Sequence, residues 1–215
     1  MNVLMSGPIR PSEDAVLEVI QSIRSQFPGC RIFLSTWTES ARVREAVDVY
    51  EAVREPTHEE IARIVTAKTI QQRQVGLADD KPCGRFPTFK MYVGVQNVCN
   101  LARPYLQDTD RVIRIRTDSM FQFDPEYLQS LLASNPATYI AKRGDGFDWF
   151  AMTTFSILVK AWCFANIQEY NAAAYNAFNA EGIVQGRVPV PIQYLDPTQV
   201  DMYILRENGR KHYYP

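Results

Sequence analysis

The sequence lacks most of the features that announce a function by composition alone. Its 23 Lys and Arg are balanced by 24 Asp and Glu, leaving a formal net charge of −1. Without a basic excess or stripe there is no electrostatic footprint for nucleic acid, so none is expected as a partner, and any anionic ligand must be held by a local arrangement of charge. The apolar runs stop well short of the roughly 18 residues needed to cross a bilayer, so no membrane span is expected. Met1 to Met5 runs at once into Ser6-Gly7-Pro8, which is too short an apolar segment for a secretion signal. Only four cysteines occur, Cys30, Cys83, Cys99 and Cys163, far apart and without a Cys-x-x-Cys pair or matching histidine spacing. They read as buried free thiols in a reducing compartment, and a cytoplasmic location follows as the expectation. No internal repeat or low-complexity tract is present.

What remains is a periodic pattern over 215 residues, enough chain to bury a core without staples. Residues 2–5 form a short apolar run stopped by Gly7-Pro8, a buried strand ending in a turn. Ser12 caps a helix with Glu13 and Asp14 in its first turn, and Val16, Val19, Ile20, Ile23 and Phe27 form its apolar stripe. Residues 31–35 are the next strand, so the chain opens as strand, helix, strand with a right-handed crossover and a parallel pair. A third strand is expected over 47–53. Thr57 and Glu60 make a capping box that opens a helix toward Gln74. Residues 76–87 are a loop, a helix follows through Leu101, and Arg111 to Arg116 is a strand whose tip carries Asp118. Beyond it, Asp124-Pro125-Glu126 opens a short helix, 138–141 is a strand and 166–179 is helical. Val188 to Pro191 is excluded from a central strand by its prolines.

In an open α/β sheet, ligands bind beyond the carboxyl ends of the strands. Three segments therefore converge: Ser6-Gly7-Pro8 with a tight turn, Ser35-Thr36-Trp37 with hydroxyls and an indole, and Arg116-Thr117-Asp118 with a carboxylate. Together they suit a nucleotide; singly, each is ordinary loop chemistry. Asp118 can hold a divalent ion that bridges two phosphates, or can accept backbone N–H groups in a turn. As a strand-tip residue it is expected to add little to the core. Further metal ligands would come from Asp79, Asp80, Asp145, Asp148 or His212. His58, in the first turn of a capped helix, reads as a surface residue. Arg73 either reaches phosphate as a guanidinium fork or sits on a solvated helix face. The loop from Arg143 to Trp149 offers two glycines, the carboxylates of Asp145 and Asp148, and an indole on which a sugar can lie; its bland reading is a structural turn.

Ser6-Gly7-Pro8-Ile9, Leu34-Ser35-Thr36-Trp37, Gln72-Arg73-Gln74 with a following glycine, Arg116-Thr117-Asp118 and Asp148-Trp149-Phe150 form an ordered set. That set resembles the WavE-type lipopolysaccharide-synthesis glycosyltransferases and the N-terminal glycosyltransferase domain of a large chlorella-virus protein. The resemblance covers about residues 3 to 150, roughly two thirds of the chain. It implies a GT-A-like single α/β domain with a central, mostly parallel mixed sheet flanked by helices. Residues 1–118 would be its nucleotide-sugar half and 119–215 its acceptor half. The implied activity is metal-dependent hexosyl transfer from a nucleotide-diphosphate donor, uridine diphosphate being expected, to a glycan or glycoprotein acceptor, with Mn²⁺ or Mg²⁺ as cofactor.

On this reading Ser6, Gly7, Pro8, Ile9, Thr36, Trp37, Arg73, Arg116 and Thr117 bind the donor. Asp118 stands at the second acid of an Asp-x-Asp motif whose first acid is here Arg116, and His212 completes the metal site. Asp148 and Asp145 are catalytic, and Trp149 faces the acceptor. The chain would act in the cytoplasm, the host's if it is viral, alone or as one domain of a larger polypeptide. Two other functions share this plan: a nucleotidyltransferase that makes nucleotide sugars, for which Ser6 to Arg10 has only one glycine, and a non-catalytic nucleotide- or sugar-binding module.

Overall fold

A computed structural model describes residues 1–81, 84–142 and 149–206, and the backbone of 212–213. The first half runs β1 (Asn2–Ser6), α1 (Glu13–Gln26), β2 (Arg31–Thr36), α2 (Ala41–Ala46), β3 (Val49–Ala52), α3 (His58–Ile64), α4 (Ile70–Gln74), α5 (Arg85–Ala102) and β4 (Arg111–Arg116). The second runs β5 (Ser119–Phe123), α6 (Pro125–Ala133), β6 (Tyr139–Ala141), β7 (Phe150–Thr154), α7 (Phe155–Trp162), α8 (Ile167–Asn176), α9 (Ala180–Gln185), β8 (Ile192–Tyr194), β9 (Val200–Ile204) and β10 (His212–Tyr213).

Alternation along the strands decides the layering. In β1, Val3 and Met5 face one cluster and Leu4 the other; β2 divides Ile32 and Leu34 from Phe33, and β4 divides Ile113 and Ile115 from Val112. The first cluster receives Val16, Val19, Ile20 and Ile23 of α1, the helical stripe expected from the sequence. The second receives Tyr92, Val95, Val98 and Cys99 of α5. Burying each such aliphatic side chain is worth about 1.5–3 kcal/mol, which is why a strand buried on both faces sits at the centre of the sheet.

The fold class is the expected one, α/β with a mostly parallel mixed sheet between helices. Seven strands lie in the order β3-β2-β1-β4-β7-β6-β8. Strands β3, β2, β1 and β4 are mutually parallel, β7 runs antiparallel to β4 and β6, and β8 is parallel to β6. A second sheet, β10-β9-β5, is antiparallel. Among the described residues no helix is long and apolar enough to cross a membrane. Cys30 and Cys99 are buried free thiols, whereas Cys163 is only partly buried.

Some boundaries differ from the sequence reading for identifiable reasons. The helix expected from Thr57 to Gln74 is two helices, because the Asn171 side chain of α8 accepts the N–H groups of Thr66 and Ala67 and so replaces helical bonding there. Thr69 and Gln72 then form a second capping box. Helix α5 begins inside the expected loop, with Pro87 in its first turn, where no donor is required. Strand β3 spans Val49–Ala52, within the expected 47–53.

Besides apolar packing, one side chain of α1 hydrogen-bonds the small sheet. Gln26 donates from Nε2 to the Phe121 carbonyl at 2.7 Å and accepts the Phe123 N–H at 2.9 Å, serving β5 as a neighbouring strand would. Gln26→Ala strands two backbone groups of β5 at once and should lower stability by about 1–3 kcal/mol, read as a fall in urea midpoint with unchanged slope. An unshifted midpoint would mean that water replaces the amide without cost.

Candidate functional site

The parallel register sets three strand ends level: Ser6 of β1 pairs with Ser35 of β2 on one side and with Arg116 of β4 on the other. The chain proceeds from β1 outward to β2 and β3, then returns to the opposite side of β1 as β4, which makes the β1–β4 junction the point where strand order reverses. The turn after β1 is clasped to the end of β4. Thr117 Oγ1 donates to the Pro8 carbonyl at 2.6 Å, and a side chain at Gly7, whose φ is +138°, would meet that same oxygen at 2.9 Å. Only glycine suits this position on both counts.

Asp118 follows immediately and is 1% exposed. Arg116 grips it with a fork, Nε to Oδ1 and Nη2 to Oδ2, both at 2.9 Å. Arg10 adds Nε to Oδ2 at 3.0 Å. The Asp118 carbonyl accepts the Leu205 N–H at 2.9 Å, so the start of β5 and the end of β9 are tied here and Arg206 is delivered to the same place. Burial drives the Asp118 pKa up, but the charge and hydrogen bonds of Arg116, with the charges of Arg10 and Arg206, prevail and hold it below the ordinary carboxylate range. Asp118 is therefore a structural anchor as well as a site residue, contrary to the expectation that a strand tip adds little to the core.

A cleft of about 660 Å³ opens over this junction. Its floor is Ser6, Gly7, Pro8, Arg116, Thr117 and Asp118, and one wall is Trp37 with Met91 and Gly94 of α5. Gly94 matters because a Cβ there would lie 3.6 Å from the Trp37 ring and 3.8 Å from Ser6 Cβ, so the helix can approach the strand ends closely. Arg10, Lys90, Arg114 and Arg206 line the cleft with Glu55, His58, Asp80 and Glu181. Lys90 Nζ is paired with Glu55 at 2.8 Å. Arg114 is 1% exposed and lies 4.4 Å over the ring of Trp162, whose Nε1 donates to the Tyr139 hydroxyl at 2.8 Å.

Of the residues selected from sequence, Ser6, Gly7, Pro8, Trp37, Asp80, Arg116, Thr117 and Asp118 meet in this cleft. Others do not. Thr36 is buried in the sheet and Ile9 packs on the core, because their side chains face away from the opening. Arg73 is spent elsewhere, donating to the carbonyls of Lys68 and Tyr175 and lying 4.2 Å over the Tyr175 ring. Trp149 is 4% exposed within the core cluster, so its ring offers no free face to a sugar. Asp145 and Asp148 lie outside the described residues; the backbone of His212 pairs with Ile204, and its side chain is likewise outside them.

Sequence reasoning passed over Arg10, Lys90, Arg114, Arg206 and His58. Arg114 was legible, since Arg114 and Arg116 are two apart on a strand and share a face. His58 is exposed, as read, and also stands at the cleft, 4.8 Å from the Phe86 ring. Arg206 arrives through β5–β9 pairing that no local pattern announces.

The Asp118 carboxylate, as it stands, suits a divalent cation poorly. Both Asp118 oxygens already accept guanidinium N–H groups, and among the described residues no three His, Cys, Asp or Glu side chains form a metal-binding cluster. A second hollow, of about 560 Å³, lies near the end of α7. There Arg187 is consumed in bonds to the carbonyls of Lys160, Ala161 and Cys163 and in an ion pair with Glu169, a structural use of its charge.

No protein-family model matches the sequence, and no curated protein matches it. Solved structures resemble the fold. A Bacillus anthracis protein described as a glucose-1-phosphate thymidylyltransferase superposes with a TM-score of 0.51 at 8% identity, over 97% of this chain and 91% of that one. The galactosyltransferase LgtC, solved with donor and acceptor sugar analogues, gives a TM-score of 0.47 at 11% identity over 92% and 74% of the two chains. A glycosyltransferase involved in glycosylation of the major capsid of PBCV-1 gives 0.43 at 13% identity, over 91% and 82%. At these identities the likeness concerns the fold alone.

The ion set makes a prediction about stability. A carboxylate with a lowered folded-state pKa stabilises the protein above the ordinary carboxylate value, and the contribution fades as pH falls through the folded-state pKa. Asp118→Asn should therefore cost about 2–3 kcal/mol at pH 7, less than a fully buried pair because Arg10 is half in solvent, and should flatten the stability profile below about pH 4. Urea midpoints at the two pH values measure both effects; equal loss at each would show that charge is not the cause.

Proposed function

We propose that this chain is a glycosyltransferase that seats a nucleotide-diphosphate sugar at the β1–β4 junction and passes the sugar to a glycan or glycoprotein acceptor. The observation that carries the reading is the convergence, in one cleft at the carboxyl ends of parallel strands, of a glycine turn, an indole wall and a cluster of arginines. The residues are largely those on which the sequence resembles the WavE-type enzymes, and WavE-like sugar transfer from a uridine diphosphate donor is the finer form of the proposal.

Each part has a task. The face of Trp37 takes the base, while Ser6 and the turn at Gly7 and Pro8 bring backbone close to the ribose. Arg10, Arg116 and Arg206 face the diphosphate, where negative charge grows as the sugar departs; fixed cations there stabilise the transition state more than the ground state. Strand β7 begins level with the end of β4, Phe150 opposite Ile115. Asp148 or Asp145, each of which precedes β7 in the sequence, is the proposed base on the acceptor hydroxyl. Residues 1–118 would then form the donor half of one domain and 119–215 the acceptor half, with Arg206 crossing from the second to the first.

Incubating the chain with a panel of nucleotide sugars and measuring free nucleoside diphosphate tests the reading directly. Release of nucleoside diphosphate is expected. Pyrophosphate made from a nucleoside triphosphate and a sugar phosphate would assign a nucleotidyltransferase instead, and binding without turnover a non-catalytic module. Trp37→Phe should remove most of the ligand-induced fluorescence change, and Trp37→Ala should weaken donor binding about five- to hundredfold, the worth of one stacked base. Unchanged signal and affinity would place the nucleotide elsewhere.

A further inference from the structure

One guanidinium fork balances the charge of a buried carboxylate, yet Asp118 has three arginines around it. Arg116 supplies the fork, Arg10 adds a further bond to Oδ2, and Arg206 stands near enough for its charge to act on the same group. They come from three distant places: the turn after β1, the end of β4 and the residues after β9. Arginines set around one point repel one another, and these three exceed the carboxylate they surround by two positive charges; over the whole cleft Lys90 and Arg114 join them against Glu55, Asp80 and Glu181. Such an excess is stable in a partly buried place when an anion completes it.

We infer that Arg10, Arg116 and Arg206, held in position by Asp118, form the seat for the donor's diphosphate, and that they serve there in place of a divalent cation. The inference rests on the reading of the ligand as a nucleotide-diphosphate sugar. The pyrophosphate of such a donor carries one negative charge on each phosphate, which matches the excess of the three arginines over Asp118. Guanidinium forks suit phosphate oxygens geometrically, and the planar group bonds two at once. A metal ion would have to take Asp118 from its arginines and sit among their positive charges, and among the described residues no three His, Cys, Asp or Glu side chains form a cluster to receive it.

The test is the binding of uridine diphosphate and thymidine diphosphate to the full chain, by calorimetry, in excess chelator and again with Mn²⁺ or Mg²⁺ added. Affinity should agree within about twofold across these conditions and should fall steeply with salt. Arg10→Ala and Arg206→Ala should each weaken binding about ten- to hundredfold in chelator, the worth of a charge-assisted hydrogen bond. Arg10→Lys and Arg206→Lys, which keep the charge without the fork, should recover part of it. Thermal midpoints of the four variants identify any that lose binding by unfolding, and the lysine variants then carry the comparison. Binding that appears only with Mn²⁺ or Mg²⁺ would overturn this inference and leave the proposed function standing. Absence of binding in every condition would overturn both.

Discussion

A carboxylate buried at the end of a parallel strand must be matched by charge or it will not stay ionised, and matching Asp118 draws the rest of the site together. The cost of desolvating an anion is several kcal/mol even after relaxation, and two hydrogen-bonded arginines, with a third beside them, offset it. Because those arginines belong to the turn after β1, the end of β4 and the residues after β9, their meeting point ties the parallel half of the large sheet to the small antiparallel sheet. The arginines gathered around Asp118 are what make this part of the cleft a place for an anion in a chain whose net charge is −1. A global composition close to neutral and a local excess of cations are compatible because the cations are gathered by folding.

The scaffold around this point is built from ordinary preferences. Apolar alternation in β1, β2 and β4 sends side chains to two helical layers, and the level register of Ser6, Ser35 and Arg116 follows from pairing those strands in parallel. Gly7 allows the turn to bend over Thr117, and Gly94 lets α5 come close enough for Trp37 to form a wall. On the far side, Trp162 supports Arg114 by its face while Tyr139 takes its N–H. Packing thus fixes the cationic floor from beneath.

Much of this is legible in the sequence. The strand–helix–strand opening, the Ser12 and Thr57 caps, and the gathering of Ser6, Trp37 and Asp118 at one edge are local consequences of periodicity, capping chemistry and the rule that ligands lie beyond strand ends. What sequence missed depends on partners far along the chain. Helices α3 and α4 separate because Asn171 intervenes from α8, and Trp149 is core because β7 enters the sheet beside β4. Arg73, which the sequence offers either as a phosphate fork or as part of a solvated helix face, is bound to α8 through Tyr175. Arg10 and Arg206 carried no local signal, since each is only a charged residue after a strand until the fold sets both beside Asp118.

The central claim is that Asp118 organises arginines, which in turn hold a diphosphate. A crystal structure of the chain grown with uridine diphosphate and Mn²⁺ tests it most directly. The account predicts phosphate oxygens within hydrogen-bonding distance of Arg10 and Arg206, the base against Trp37, and the Asp118–Arg116 fork intact. A diphosphate bridged by a metal ion to an Asp118 that has let go of Arg116 would contradict it.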